Sequence, residues 1–206
     1  QNIDYRLRQT DFRLDGKRLG TPWMGCNIPD LEQMDRILII GSNLRNEHPL
    51  LSHRIRKAVA NGAELSIISP LDNDPLMSVT HKVVVRPNDM VNVQAQILKA
   101  MSGLQRLSLC LPASLNQLLE EIKVRDNTQA IAESLAGMGK LYDLISPKTG
   151  IFVGNIALND PRFTEMFSLA EAISGLCGAT LGLIPAGANN TGRFELRPEP
   201  LDLLAF

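Results

Sequence analysis

One stretch constrains this chain more than any other: Arg36-Ile37-Leu38-Ile39-Ile40, a short continuous apolar run followed at once by Gly41-Ser42-Asn43 and then, after Pro49, by a helical repeat. A β-branched run with no polar alternation suits a strand covered on both faces, as in a parallel sheet. Gly41 is free to take positive φ, so the chain turns sharply where the strand ends. Pro49 fits the first helical position, where a missing amide costs no hydrogen bond. Leu50, Leu51, Ile55, Ala58 and Val59 then recur at helical spacing as the docking face, leaving Ser52, Arg54, Arg56, Lys57 and Asn61 for solvent. Asn61-Gly62 stops that helix, and Leu65-Ser66-Ile67-Ile68 reads as the next strand. The unit is a right-handed β-α-β.

Such a unit places a crevice at the carboxyl end of its first strand, with Ser42 and Asn43 beside a helix amino terminus. Two readings stay open there, a ligand site and a tight turn. The stretch has one glycine where a dinucleotide fingerprint has three, and it lacks the Gly-Lys-Ser/Thr of a P-loop.

The rest of the chain repeats the pattern with interruptions. His81 to Val85 reads as a third strand, Asn88 or Asp89 as a cap, and Met90, Val93, Ile97, Leu98 and Met101 as one face of a helix that Gly103 ends. From Leu104 to Ser146 the pattern turns mainly helical, with a strand at Leu107 to Leu111 and two helices marked by Leu115 to Ile122 and Ile131 to Met138. Gly150 to Asn155 returns to a strand ending in Gly-Asn. Asp160-Pro161 then reads as a cap and first turn for a helix striped by Phe163, Met166, Phe167, Ala170, Ile173 and Leu176 and stopped by Gly178. Leu181 to Ile184 is the last strand. The Gly187 to Gly192 loop, with adjacent Asn189 and Asn190, reads either as a surface turn or as amides facing a polar ligand or partner chain. Arg193 is equally a phosphate contact or a solvated charge. Upstream, Asp4, Arg6, Arg8, Asp11 and Arg13 are spaced for ion pairs.

Charge and cysteine content exclude several functions. A formal net charge of −1 with no basic block argues against a nucleic-acid partner. No apolar stretch approaches the roughly 20 residues needed to span a bilayer. Cys26, Cys110 and Cys177 lie far apart with no Cys-x-x-Cys, so local spacing assembles neither a zinc nor an iron–sulfur site, and an odd, unclustered count fits a reducing compartment. His48 and His53 fall roughly 140° apart around a helix and do not converge on a metal. No Ser-His-Asp or Cys-His set is recognisable, so no catalytic residue is assigned. The apolar share of 44% over 206 residues supports one large α/β domain or a domain plus an appendage. A first residue Gln1 and an unpunctuated end at Phe206 suggest a piece of a longer protein.

Four ordered stretches carry a family resemblance: Asn2-Ile3-Asp4-Tyr5-Arg6-Leu7-Arg8 with Asp11-Phe12, Gly41-Ser42-Asn43-Leu44-Arg45-Asn46-Glu47-His48-Pro49, Val85-Arg86-Pro87-Asn88-Asp89, and Gly187-Ala188-Asn189-Asn190-Thr191-Gly192. Together they resemble the molybdopterin oxidoreductase superfamily, and within it the version found in the cluster-bearing peripheral-arm subunit of bacterial NADH:quinone oxidoreductase (respiratory complex I) and its mitochondrial 75 kDa counterpart. The resemblance implies an α/β fold of Rossmann-like parallel-sheet units. It implies a lead-in over 1–35, the domain over 36–192 with a helical insertion at 104–146, and the start of a following segment at 193–206. It sets Ser42, Asn43, Glu47, Arg86, Asn88, Asp89 and Asn189 along a pterin dinucleotide groove, real or vestigial.

Departures from the family pattern are equally informative. Active members present Cys, selenocysteine or Ser to molybdenum or tungsten just after the stretch matching Asn2 to Arg8, and here Gln9-Thr10-Asp11 stands in that place. The Arg-Pro-Gly-Thr-Asp pattern is shortened to Arg86-Pro87-Asn88-Asp89. What the resemblance implies is a domain with no cofactor of its own, which stabilises the peripheral arm at the cytoplasmic side of the membrane. It packs there on other subunits of complex I, with iron–sulfur clusters expected elsewhere in the full-length subunit. The alternatives are a fragment of an active molybdopterin enzyme, such as a formate dehydrogenase, and a plain nucleotide-binding module.

Overall fold

A computed structural model describes residues 11, 13–14, 23–105, 117, 119–137 and 148–185. Five strands form one sheet: β1 (Arg36–Ile40), β2 (Glu64–Ser69), β3 (His81–Val84), β4 (Thr149–Gly154) and β5 (Thr180–Ile184), in the spatial order β3-β2-β1-β4-β5. Every pairing is parallel, with Ile37 opposite Leu65 on one side and Gly150 on the other. The apolar run of β1 thus lies at the centre, and all five of its residues are buried.

Alternation along the strands divides the core in two. Ile37, Ile39, Leu65, Ile67 and Phe152 pack with Leu31, Ile55 and Ala58 on one face. Leu38, Ile40, Ile68, Ile151 and Val153 pack with Met90, Ile97, Ile131, Phe163 and Ile173 on the other. Successive side chains of a strand point to opposite faces, so an unbroken apolar run builds two cores at once. The first face is covered by a 3-10 turn (Ile28–Gln33) and by helix α2 (Pro49–Ala60), which follows a single helical turn α1 (Leu44–Glu47). The second is covered by α3 (Met90–Gln105), α4 (Asp126–Ala136) and, after a short α5 (Asn155–Leu158), α6 (Phe163–Cys177). At the outer edge of β5 the Leu183 amide donates to the Trp23 carbonyl at 2.9 Å, so residues just before the 3-10 turn run along that edge.

Several elements depart from the sequence expectation. Pro49 does open α2, but Leu50 is 77% exposed whereas Ser52 is buried at 8%. Burial of Ile55 and Ala58 fixes the helix phase. At about 100° per residue Ser52 then falls on the same face and Leu50 roughly 140° from Ile55. Helix α3 does not stop at Gly103 but runs to Gln105. It is also buried beyond the expected stripe, at Val91, Gln94, Ala95 and Gln96, because α4 and α6 both pack on it over the sheet. That packing outweighs the roughly 1 kcal/mol penalty of one helical glycine. The buried Thr128 hydroxyl, 3.1 Å from Gln96 Oε1, ties α4 to α3.

Helix α6 begins at Phe163, not at Pro161. Asp160 caps the preceding turn through Oδ1, which accepts the Arg162 amide at 2.8 Å. The helix is capped instead from far away in sequence: Asp11 Oδ2 accepts the Thr164 amide. The expected strand at Leu107 to Leu111 and the loop at 187–192 lie outside the described residues.

Candidate functional site

In a parallel sheet of this order the chain runs left from β1 and right from β4, so the carboxyl ends of these two neighbouring strands form the topological switch point where α/β ligands bind. Here the two strand ends are knitted together. Gly41 takes φ +61°, and its carbonyl accepts the amides of Ile156 at 2.9 Å and Ala157 at 3.3 Å, both from the first turn of α5. A Cβ on Gly41 would stand 2.7 Å from the Cβ of Ala157, and one on Gly154 would overlap the Cβ of Ser42. Both glycines are required because the backbones touch.

The turn after β1 is closed from its other side by Glu47. Its Oε2 accepts both the Ser42 hydroxyl at 3.1 Å and the Asn43 amide at 3.0 Å. Asn43, the residue before α1, makes no side-chain cap of its own. Glu47, the last residue of α1, therefore reaches back over one turn to satisfy the donors at its start. Ser42 is 6% exposed. Between the ends of β1 and β2 a cavity of about 20 Å³ remains, lined by Ser42, Asn43, Arg45, Ser69 and Lys82 among others, which is room for a single water. Lys82 Nζ is engaged by Asp72 Oδ1 at 2.5 Å and the Asn73 carbonyl at 2.7 Å.

On the opposite side of Glu47 opens a groove of about 770 Å³. Its walls come from three segments: the stretch leading into the 3-10 turn together with the turn's first residue (Trp23, Ile28), the start of α2 (Leu50, Leu51) and the end of β5 (Leu183, Ile184). Trp23 is 55% exposed and Ile28 48%. Asn27, Glu47 and His48 are its polar members, and among the described residues no Lys or Arg lines it. Burial holds the His48 imidazole below its ordinary pKa, against the opposing pull of the Glu47 charge and of a hydrogen bond with the Ile184 backbone. His48 Nε2 is buried with no hydrogen-bond partner among the described residues. The Cys26 thiol, also in the groove wall, is pushed up by burial and by the Asp30 charge.

The structure brings three of the seven sequence-selected residues together: Ser42, Asn43 and Glu47. Arg86, Asn88 and Asp89 lie beyond the end of β3, two strands away from β1, and the Asn88 carbonyl accepts from Arg162 at 3.4 Å. Asn189 is outside the described residues. Sequence reasoning missed the contribution of Gly154, Ile156 and Ala157 to the same corner, although the Gly-Asn at the end of β4 marked it. It also missed Asp11 as the remote cap of α6. Among the described residues no group of three or more His, Cys, Asp or Glu side chains is placed to hold a metal ion. No described helix is long and apolar enough to cross a membrane.

Comparison with known proteins agrees with the fold. A stretch of 51 residues, 25% of the chain, is 45% identical to the F420-dependent formate dehydrogenase subunit alpha of Methanocaldococcus jannaschii and covers 8% of that protein. A stretch of 55 residues, 27% of the chain, is 38% identical to the F420-dependent formate dehydrogenase 1 subunit alpha of Methanococcus maripaludis, again covering 8% of it. The matched stretches thus span a small part of these relatives. The molybdopterin oxidoreductase family, in contrast, matches residues 1–194. With a five-stranded parallel sheet of the expected kind and a family match over nearly all its length, the chain belongs to the molybdopterin oxidoreductase family.

Proposed function

We propose that this chain is a non-redox structural and interaction domain of the peripheral-arm subunit of NADH:quinone oxidoreductase, whose electrons pass through iron–sulfur clusters outside it. The observation that carries this reading is the closure of the switch point. A pterin dinucleotide brings a pyrophosphate, which needs free N–H donors and cations. The donors of the β1 turn are already taken by Glu47, the space between the ends of β1 and β2 holds about 20 Å³, and the larger groove has no described Lys or Arg in its lining. Among the described residues, then, the site does not fit the family's cofactor. The sequence offers Gln9-Thr10-Asp11 where active relatives carry a metal ligand, and both carboxylate oxygens of Asp11 are hydrogen-bonded, to Arg13 and to Thr164.

What the groove does suit is protein. Exposed Trp23, Ile28 and Leu50 around an apolar hollow have the character of an interface core, where aromatic and aliphatic side chains gain most from losing water. In this reading the neighbouring subunits of the peripheral arm, or other parts of the same subunit, cover it.

The similarity to formate dehydrogenase alpha subunits favours a second reading, a fragment of an active molybdopterin enzyme. One experiment separates them. The full-length protein is purified from cells that make molybdenum cofactor, and its molybdenum, tungsten and pterin content is measured. Bare protein is the expected result; close to one equivalent of metal and pterin would sink the structural reading in favour of the enzyme.

A further inference from the structure

We propose that Glu47 is a built-in anion that holds the β1 turn shut against phosphate ligands, a role that rests on and deepens the structural reading because it concerns the same crevice. A phosphate oxygen bound at a strand-end turn characteristically receives a hydroxyl and a backbone amide together. Ser42 Oγ and the Asn43 N–H form such a pair, and they converge on a single oxygen, Glu47 Oε2, at 3.1 and 3.0 Å. A carboxylate supplied by the chain itself thus stands where a ligand oxygen would stand.

Three features make this occupation durable. Glu47 ends the single helical turn that Ser42 and Asn43 lead into, so reaching these donors orders little extra chain. The Glu47 amide and the Asn46 amide both bond the Asn43 carbonyl, at 2.9 and 3.0 Å, which fixes the turn from which the carboxylate projects. On the far side, Gly154 packs directly against the Cα and Cβ of Ser42, which holds the residue that carries the hydroxyl in place. A phosphate approaching these donors would have to displace the carboxylate and would then face its charge at a few ångströms, while the cations nearest them, Arg45 and Lys82, border a space of only about 20 Å³ and Lys82 is already held by Asp72.

The test follows the Asn43 amide by NMR in the full chain. In the wild type, inorganic pyrophosphate and ADP at millimolar concentration leave the Ser42 and Asn43 amide signals in place. In Glu47→Ala, the Asn43 amide loses its acceptor and exchanges with solvent roughly 10- to 100-fold faster, the factor expected for one hydrogen bond to a charged group. Glu47→Gln, whose amide oxygen still accepts, restores most of the protection. Exchange at Asn43 that does not change in Glu47→Ala overturns the assignment of Glu47, and so does a shift of these amides by pyrophosphate in the wild type. Should Glu47→Ala unfold, Glu47→Gln and the wild-type titration still decide the matter. These outcomes are independent of the cofactor measurement above: a cofactor-free protein with an open, phosphate-responsive turn would reject Glu47 as the closure and leave the structural reading standing.

Discussion

Asp11 Oδ2 accepts the backbone amide of Thr164 at 2.8 Å, joining residues 153 positions apart and capping helix α6 from the far end of the sequence. The same carboxylate holds Arg13 through Nε at 3.1 Å and through a terminal nitrogen at 3.0 Å. Asp11 is 3% exposed. Replacing it by Ala strips α6 of its cap, and the loss of folding stability should be about 1–2 kcal/mol. Asp11→Asn, which keeps an acceptor, should recover part of it. Urea unfolding of the variants checks this, and a loss below about 0.5 kcal/mol would mean that the contact does not anchor the lead-in.

Acid should weaken the domain in two steps. Burial alone would raise the Asp11 carboxyl, but the hydrogen bonds from Arg13 and Thr164 prevail and hold it well below its ordinary value. The unfolded chain then binds the proton more readily, so the stability Asp11 provides is fully present above its ordinary value of 3.8 and is lost as pH falls below it. His48 has the same sign in a different window. Burial lowers its folded pKa below 6.5, so acidification through and below 6.5 favours the unfolded chain. Unfolding midpoints should therefore fall between about pH 7 and 5, less so in His48→Gln, and fall again below about pH 4, less so in Asp11→Asn. A midpoint that rises over the first interval would contradict the His48 part.

Gly154→Ala should be the most damaging single methyl at the switch point. Its Cβ would overlap Ser42 and stand 2.7 Å from the Gly41 carbonyl oxygen, with backbone on one side that cannot yield. A cost of about 1–3 kcal/mol or more is expected, together with shifted NMR signals across the β1 turn. A neutral effect would show that the two strand ends are held less tightly than their distances indicate.

Gly103→Ala should act in the opposite direction. Gly103 is an exposed position within α3, and an added Cβ would meet nothing within 4 Å. Alanine should raise stability by about 0.5–1 kcal/mol, since the helix no longer orders a glycine. Thermal denaturation reads this directly, and destabilisation would mean that α3 ends before Gly103.

Leu50→Ser separates folding from association. With 77% of Leu50 exposed, stability should change by no more than about 0.5 kcal/mol. If the proposed peripheral-arm role holds and the groove is its interface, assembly with the neighbouring subunits should weaken measurably in affinity purification from cells. Undiminished assembly would remove Leu50 from the interface.

The amino-acid order alone determined the strands and their character. A continuous run rich in β-branched residues such as Arg36–Ile40 can be covered only on both faces, and Pro49, Gly62 and Gly178 punctuate the chain through backbone geometry that any neighbour would leave unchanged. It also marked Ser42 and Asn43, because a strand-end turn leaves its signature in adjacent residues, whereas Glu47 was singled out only through the family resemblance. Tertiary structure decided what depends on distant partners. The phase of α2 was set by burial of Ile55 and Ala58, which turned Leu50 outward and Ser52 inward. The length of α3 was set by α4 and α6 packing along it, which carried the helix past Gly103. The cap of α6 came from Asp11, and the closure of the switch point from Gly154 lying against Ser42. Local propensities amount to a few tenths of a kcal/mol to about 1 kcal/mol per residue, whereas burying one large apolar side chain contributes about 1.5–3 kcal/mol, so contacts between remote segments settle each case in which the two disagree.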